Sequence, residues 1–410
     1  MRIAIVGNFG LGSKQTMAVR ALPLAEELAR RGQAVQMALP VRWDTDFGGP
    51  DLARGVTLRY AGRGPRIPGL TQFWQLLLLT WYTLRWGPDV VYCFKPIAYS
   101  GAILTLFWCL RLLRLYRGTI ALDTDDWEGD GGWNDRFALP RWVKRLVAWQ
   151  EQWSLRHADV TTVASRALQE LVQQVGARKI VYLPNALAQS SLDLPALHPT
   201  GSELDLNNRP VVLLYTRFVE FSVTRVLDVL EHLREDVGDA ILLVVGQGLR
   251  GEEQELSRMA LARGLATNVR LAGWIPTDLL PHYFAMAHVA LYLLDDTLLN
   301  RAKCPMKLLD LLAAGVPVVA DRVGQACEYV ADGRSGLLVE PGNRTVMAEA
   351  VASLLSDPEQ LRAMGEAARA DARSRWSWAA WAPVAEAALT ASPTTRSESA
   401  LPATRTPGRQ

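Results

Sequence analysis

The stretch from Asn300 to Ala320 reads NRAKCPMKLLDLLAAGVPVVA and concentrates residue types that bind an anion. Pro305 suits the first turn of a helix, where its missing N–H costs nothing. Gly315 ends that helix, and a buried strand follows. Arg301, Lys303 and Lys307 flank the helix start, and Met306, Lys307 and Leu308 supply its first-turn N–H groups. Cations beside a helix N-terminus suit a diphosphate. Asp310 lies one turn further in and can accept hydrogen bonds from a ribose diol. The same spacing also permits an exposed i, i+3 ion pair between Lys307 and Asp310.

A second chemical cluster is Leu122-Asp123-Thr124-Asp125-Asp126-Trp127-Glu128-Gly129. It follows an expected strand, which places it at a sheet edge. Carboxylates there can bind sugar hydroxyls, orient an acceptor or hold a cation. Crowded carboxylates also raise one another's pKa, so Asp125, Asp126 or Glu128 can serve as an acid or base. Lys95, after another strand, reaches toward the same region. The plainer reading is a capping cluster at a turn with Trp127 packed down.

Two glycine-rich turns each sit between a strand and a helix. The first, Gly7-Asn8-Phe9-Gly10-Leu11-Gly12-Ser13-Lys14-Gln15-Thr16, fails as a P-loop because Ser13 precedes Lys14 and Gln15 follows it. It also lacks G-x-G-x-x-G, and no acidic residue closes the next strand, which argues against a dinucleotide oxidoreductase. Gly10 and Gly12 still let a ligand approach the backbone, although a plain tight turn needs them equally. The second turn is Val245-Gly246-Gln247-Gly248, and Gly273-Trp274 closes another strand. In open α/β sheets, ligands bind outside the carboxyl ends of strands, so these loops converge on one site.

The elements that position them alternate regularly. Ile3–Val6, Val35–Leu39, Asp89–Cys93, Ile120–Leu122, Val160–Val163 and Ile180–Tyr182 read as buried strands with helices between. Ala186–Pro210 breaks the rhythm and reads as a linker. Alternation resumes with strands at Val211–Tyr215, Ile241–Val245, Val269–Ala272, Val289–Leu293, Val316–Ala320 and Gly336–Val339. Strand–helix alternation at this spacing predicts parallel, doubly wound sheets. The segment from Ala391 is rich in Thr, Ser, Pro and Arg and predicts disorder.

The totals fit two domains: 410 residues, 49% apolar. Lys plus Arg is 44 and Asp plus Glu is 42, which gives no case for nucleic acid. Cys93, Cys109, Cys304 and Cys327 form no C-x-x-C pair and read as reduced thiols of a cytoplasmic protein, with no zinc site. The N-terminus runs from strand into glycine and does not read as a signal peptide. Leu70–Trp86 and Ile97–Leu110 are apolar but fall short of the roughly 20 residues of a spanning helix. The second continues into Arg111, Arg114 and Arg117, a composition that also suits a helix lying on an anionic membrane surface.

The second half resembles the donor-site region of family-four retaining glycosyltransferases, which have the GT-B fold. Besides Asn300–Ala320, Pro184-Asn185-Ala186 resembles their P-N-G and Leu214-Tyr215-Thr216-Arg217 their Y-V-G-R. Val245–Gly248 and Asn268–Gly273 resemble their G-x-G and N-V-x-F-x-G. Glu328–Gly342 resembles their E-x-V-x-D-G-x-x-G-x-L-V-x-P-G. The first half resembles them as architecture. The resemblance implies an α/β chain with two Rossmann-like domains facing across a cleft. These are an acceptor domain over residues 1–188, a linker over 189–209 and a donor domain over 210–375. A crossing helix over 376–389 and a disordered tail over 390–410 follow.

Carried over, Arg217 holds the donor diphosphate and Asp310 the ribose. Gly246, Gly248 and Gly273 shape the donor cleft, and Glu328 supports the loop after the last donor-site strand. The implied function is hexose transfer from a nucleotide diphosphate sugar, with retention, without metal or cofactor. The acceptor is a glycan, a lipid-linked molecule or a small molecule, and a membrane surface contact is open. The family's first donor-site glutamate falls on Ala302, its lysine after Arg217 on Ser222, and its N-terminal-domain histidine is missing. These departures leave room for a nucleotide-sugar-binding protein without turnover, or for a nucleotide-sugar 2-epimerase. Asp123 and Asp125 resemble the D-x-D metal motif of the GT-A fold, which the surrounding architecture does not support.

Overall fold

The computed structural model describes residues 1–12, 16–41, 52–62, 64–67, 69–192, 206 and 209–390. Two sheets account for its strands. The first has β1 (Arg2–Val6), β2 (Ala34–Pro40), β3 (Leu52–Ala53), β4 (Val56–Ala61), β5 (Val90–Phe94), β6 (Thr119–Thr124), β7 (Val160–Val163) and β8 (Ile180–Tyr182). Their spatial order is β3-β4-β2-β1-β5-β6-β7-β8. All pairs are parallel except β3 with β4.

Alternate residues of β1 feed the two faces: Ile3 and Ile5 pack with Leu24, Leu28 and Trp378, and Val6 packs with Leu79, Ile103 and Leu155. Burial on both faces is why these strands read as continuous apolar runs. β4 escaped the sequence reading because Val56-Thr-Leu-Arg-Tyr-Ala alternates, with Arg59 exposed, near the sheet edge.

The second sheet contains β9 (Val211–Tyr215), β10 (Ile241–Val245), β11 (Val269–Gly273), β12 (Val289–Tyr292), β13 (Val318–Asp321) and β14 (Gly336–Val339). Its order is β11-β10-β9-β12-β13-β14, all parallel. β13 starts two residues later than the sequence suggests. Gly315, at φ 75°, caps the preceding helix, and Val316 N–H donates back to Leu311 O at 3.0 Å. That closing turn consumes the first apolar residues of the run.

The expected linker contributes the short helix Gln189–Leu192, and Leu187 pairs with Ser377 where the chain crosses back. Residues 193–205 and 207–208 lie outside the described residues. The final helix is Trp378–Thr390 rather than 376–389, because Ser377 is held in that bridge. It packs on Leu22–Arg30 of the first sheet's layer. Thr390 belongs to the helix, its hydroxyl donating to Glu386 O at 2.9 Å, and residues 391–410 lie outside the described residues.

Candidate active site

The two sheets meet through Asn185 of the Pro184-Asn185-Ala186 turn. Its side-chain amide donates to Cys304 O at 2.6 Å, its carbonyl accepts from Tyr329 Oη at 2.8 Å, and its Oδ1 accepts from Arg20 at 3.1 Å. Ser165 Oγ donates to Ala302 O at 2.6 Å. Ala302 is fully buried at this seam, so the position of the family's first donor-site glutamate is core here.

The acidic segment divides. Asp123 is buried and takes a bidentate pair from Arg20 at 2.8 and 2.6 Å, plus the Thr162 hydroxyl at 2.6 Å. It is a structural anchor. Lys95, which leaves β5 with a left-handed φ of 67°, gathers the other three. Its Nζ lies 3.2 Å from Asp125, 3.2 Å from Asp126 and 2.6 Å from Glu128. Burial works to lower the pKa of this ammonium, but Asp125, Glu128 and Asp126 outweigh it and hold it well above the usual lysine range. Among the described residues, no group of three or more His, Cys, Asp or Glu side chains is placed to hold a metal ion.

Asp125 and Glu128 are buried behind Lys95, which corrects the expectation that both carboxylates face substrate. Burial pushes Asp125 upward, but Lys95, Arg20 and the Thr16 hydroxyl at 2.7 Å outweigh it and hold its pKa low. Thr16, just beyond the first glycine loop, is thus tied to the acidic segment. Asp126 is the most open of the four carboxylates. Its pKa is pushed up to about 6 by burial and by Asp125 and Glu128, against Lys95 and Lys303. Behind them lies Glu151, which sequence reasoning missed. Its carboxylate accepts Glu128 N–H at 2.9 Å, and burial drives its pKa up to about 8. The signal was an acidic residue on the buried stripe Ala148, Glu151 and Leu155 of an amphipathic helix.

Across the cleft, Arg217 follows β9, exposed and without a hydrogen-bond or ion-pair partner among the described residues. The next residue, Phe218, has φ 57°, and its N–H donates to Thr216 Oγ1 at 2.8 Å. An aromatic residue held in that region marks a loop fixed by its surroundings. Gly246 has φ 124°, and a Cβ there would lie 1.9 Å from Thr216 O. Its N–H donates to Gly273 O at 2.7 Å, so these two glycines shape one wall. Gly248 N–H donates to Glu253 at 2.8 Å, and a Cβ there would strike Glu252.

The helix Met306–Ala314 starts at Pro305 with no side-chain cap, and its first-turn N–H groups have no acceptor within the helix. Lys307 Nζ sits 5.6 Å from the Tyr215 ring centroid. Burial, with Glu220, Tyr215 and Asp310 nearby, pushes the Tyr292 hydroxyl well above its usual pKa, which places these groups together. The Leu308 side chain is fully buried, so any part it takes at the helix start is through its backbone. Lys307 and Asp310 are half-buried rather than an exposed pair. Arg301 turns outward to Asp296.

Lys303 is paired with Glu220 at 2.6 Å. Although burial works against it, Lys303 and Lys307 bring the Glu220 pKa down to about 2. Glu220 was also missed; its signal was an isolated carboxylate between Val219 and Phe221. Ser222 Oγ bonds Thr224, and Glu328 is exposed, its side chain without a partner among the described residues. The two walls touch at Arg136, which donates to Val219 O at 3.2 Å, and at Trp133, whose ring centroid lies 5.4 Å from Lys303 Nζ.

Residues 15–186 match the glycosyl transferase 4-like domain, and residues 202–371 match glycosyl transferases group 1. A GDP-mannose-dependent alpha-(1-6)-phosphatidylinositol monomannoside mannosyltransferase of Mycolicibacterium smegmatis is 36% identical over 176 residues, 42% of this chain and 46% of that protein. Its namesake from Mycobacterium tuberculosis is 30% identical over 225 residues, 53% of this chain and 58% of that protein. The chain thus spans about half the length of these curated relatives. In fold, it is similar to a sucrose-phosphate synthase from Thermosynechococcus elongatus, with a TM-score of 0.68 at 20% identity over 94% of this chain and 97% of that one. Starch synthase IV of Arabidopsis thaliana gives a TM-score of 0.71 at 14% identity over 95% and 98%. With one half matched by each domain description and the two-sheet architecture shared throughout, the chain belongs to the family-four-like glycosyltransferases of the GT-B fold.

Proposed function

We propose that this chain transfers a hexose-type sugar from a nucleotide diphosphate sugar to an acceptor bound against its first sheet, with retention of the anomeric configuration. The observation that carries this reading is Arg217, exposed and unpaired among the described residues, on the wall it shares with the uncapped helix start at Pro305. A cation beside a helix start that carries no side-chain cap suits a leaving diphosphate. The N–H groups of Met306, Lys307 and Leu308, with the Lys307 ammonium, complete that cradle. Asp310, one turn deeper, takes the ribose. Gly246, Gly248 and Gly273 leave room for the nucleotide. Neither a metal nor another cofactor enters this reading.

The developing charge on the diphosphate is met by Arg217 and the helix dipole. Retention then needs no enzymic nucleophile, because the leaving oxygen accepts the acceptor's proton on the face it departs from. Asp126 accepts a hydrogen bond from the acceptor hydroxyl and aims it. Asp125 and Glu128 act through Lys95, which fixes Asp126. Two relatives are named as GDP-mannose-dependent, which makes a guanosine-diphosphate mannosyl donor the first to try. Their named lipid acceptor likewise favours a lipid-linked acceptor.

Thermal-shift titration against uridine-, guanosine- and adenosine-diphosphate sugars, with and without magnesium, tests the donor site. Product analysis with the donor that binds then tests transfer and retention. A stabilising donor and a product of unchanged anomeric configuration are expected. An inverted product overturns the mechanism. Binding with no transfer favours a second reading, a sugar-nucleotide-binding protein. That reading draws on the buried Ala302 and on Lys303, already neutralised by Glu220.

A further inference from the structure

Three helices cover one face of the first sheet: Leu70–Trp86, Ala98–Leu112 and Arg141–His157. They are tied side by side at the cleft end. Tyr99 Oη donates to Gln75 Oε1 at 2.8 Å, and Gln150 Oε1 accepts from Ala98 N–H at 2.8 Å. Their outward faces are apolar where a soluble helix is normally polar. Phe73, Trp74 and Trp81 are exposed on the first helix. Trp142, Leu146 and Trp149 form an i, i+4, i+7 stripe on the third, with Trp142 70% exposed. Exposed aromatic surface on this scale marks an interaction site.

The charge around it is one-sided. The chain as a whole balances 44 basic against 42 acidic residues. Yet residues 62–88, 90–118 and 137–150 contain no Asp or Glu, while Arg66, Arg85, Arg114, Arg141 and Arg145 lie among them; Arg111 is already paired with Asp159. We infer that this three-helix face docks on an anionic lipid bilayer, with the Trp rings at headgroup depth and the arginines against lipid phosphates. Amphipathic Trp side chains and a basic rim are the combination that such an interface recognises. A second copy of this chain is the poorer occupant, because a two-fold contact would press the two basic rims together. The docked face adjoins the cleft, since Lys95, which holds Asp126 at 3.2 Å, leads through Pro96 into the central helix. A lipid-borne acceptor headgroup would then meet Asp126 from the membrane side; this last step rests on the proposed transfer, whereas docking does not.

The test is co-sedimentation of the full chain with vesicles of phosphatidylcholine alone or mixed with phosphatidylglycerol. Binding to the mixed vesicles is expected, weakening with salt. Trp142→Ser/Trp149→Ser and, separately, Arg141→Glu/Arg145→Glu should each weaken it by at least about tenfold. Both pairs are surface changes, and circular dichroism checks that each variant is folded. Equal binding to both vesicle types overturns the anionic assignment. No binding, or binding unmoved by both variants, overturns the docking. So does a concentration-dependent dimer in sedimentation velocity that the tryptophan variant abolishes. Donor thermal shifts are read in the absence of vesicles, so a failed donor site and a failed docking face are told apart.

Discussion

Lys303 Nζ lies 2.6 Å from Glu220 Oε1, on the wall of the cleft that also carries Arg217 and Lys307. One of the cations that the sequence offers to a diphosphate is therefore already neutralised. Arg217 has no such partner among the described residues. Arg217→Ala should reduce kcat/KM by about a hundredfold or more, with little change in melting temperature. Lys303→Met should reduce it less. Steady-state kinetics on both variants decides, and equal losses would refute this ranking.

The same pair sets an acid limit on stability. The Glu220 pKa is about 2, below the roughly 4.3 of an unfolded glutamate. Its contribution is fully present above about 4.3 and is lost as pH falls through about 2. Glu220→Gln should lower the melting temperature at neutral pH and flatten the acid dependence in that window. Melts recorded across the window check it.

Glu151 works in the opposite direction. Its pKa of about 8 lies above the unfolded value, so its favourable contribution is complete below about 4.3 and is lost as pH rises through 8. Glu151→Gln keeps a hydrogen-bond acceptor for Glu128 N–H and removes the buried charge. The variant should melt as high as the parent or higher at pH 8, and should lose ground relative to it under mildly acidic conditions.

Asp126 should govern the acid limb of activity. With a pKa near 6, it is ionised and able to accept the acceptor's hydroxyl only above that pH. Wild-type kcat/KM should fall as pH drops through about 6, and Asp126→Asn should remove the inflexion along with most of the activity. An unchanged pH profile in the variant would exclude Asp126 from this role.

Asp123 separates structure from chemistry within one hexapeptide. Asp123→Ala leaves Arg20 buried without its bidentate partner, at a cost of about 3–5 kcal/mol. Asp126→Asn should cost far less. Urea unfolding of the two variants compares them directly.

Local pattern alone was enough to reveal the two wound sheets and the helix from Met306 to Ala314. Strand burial on both faces, a glycine cap and a proline at a helix start are all written in neighbouring residues. The sequence also determined which residue types crowd the cleft. It did not determine which of them are spoken for. Arg20 meets Asp123, Lys95 meets Glu128, Glu220 meets Lys303 and Glu151 meets the Glu128 backbone, all across more than twenty positions of sequence. Pairing of that range depends on how the elements pack, and no local period records it. Tertiary structure alone therefore turned four neighbouring carboxylates into one buried anchor, two buried partners of Lys95 and one, Asp126, that is the most exposed. It also set the tryptophans of two separate helices on a single outward face.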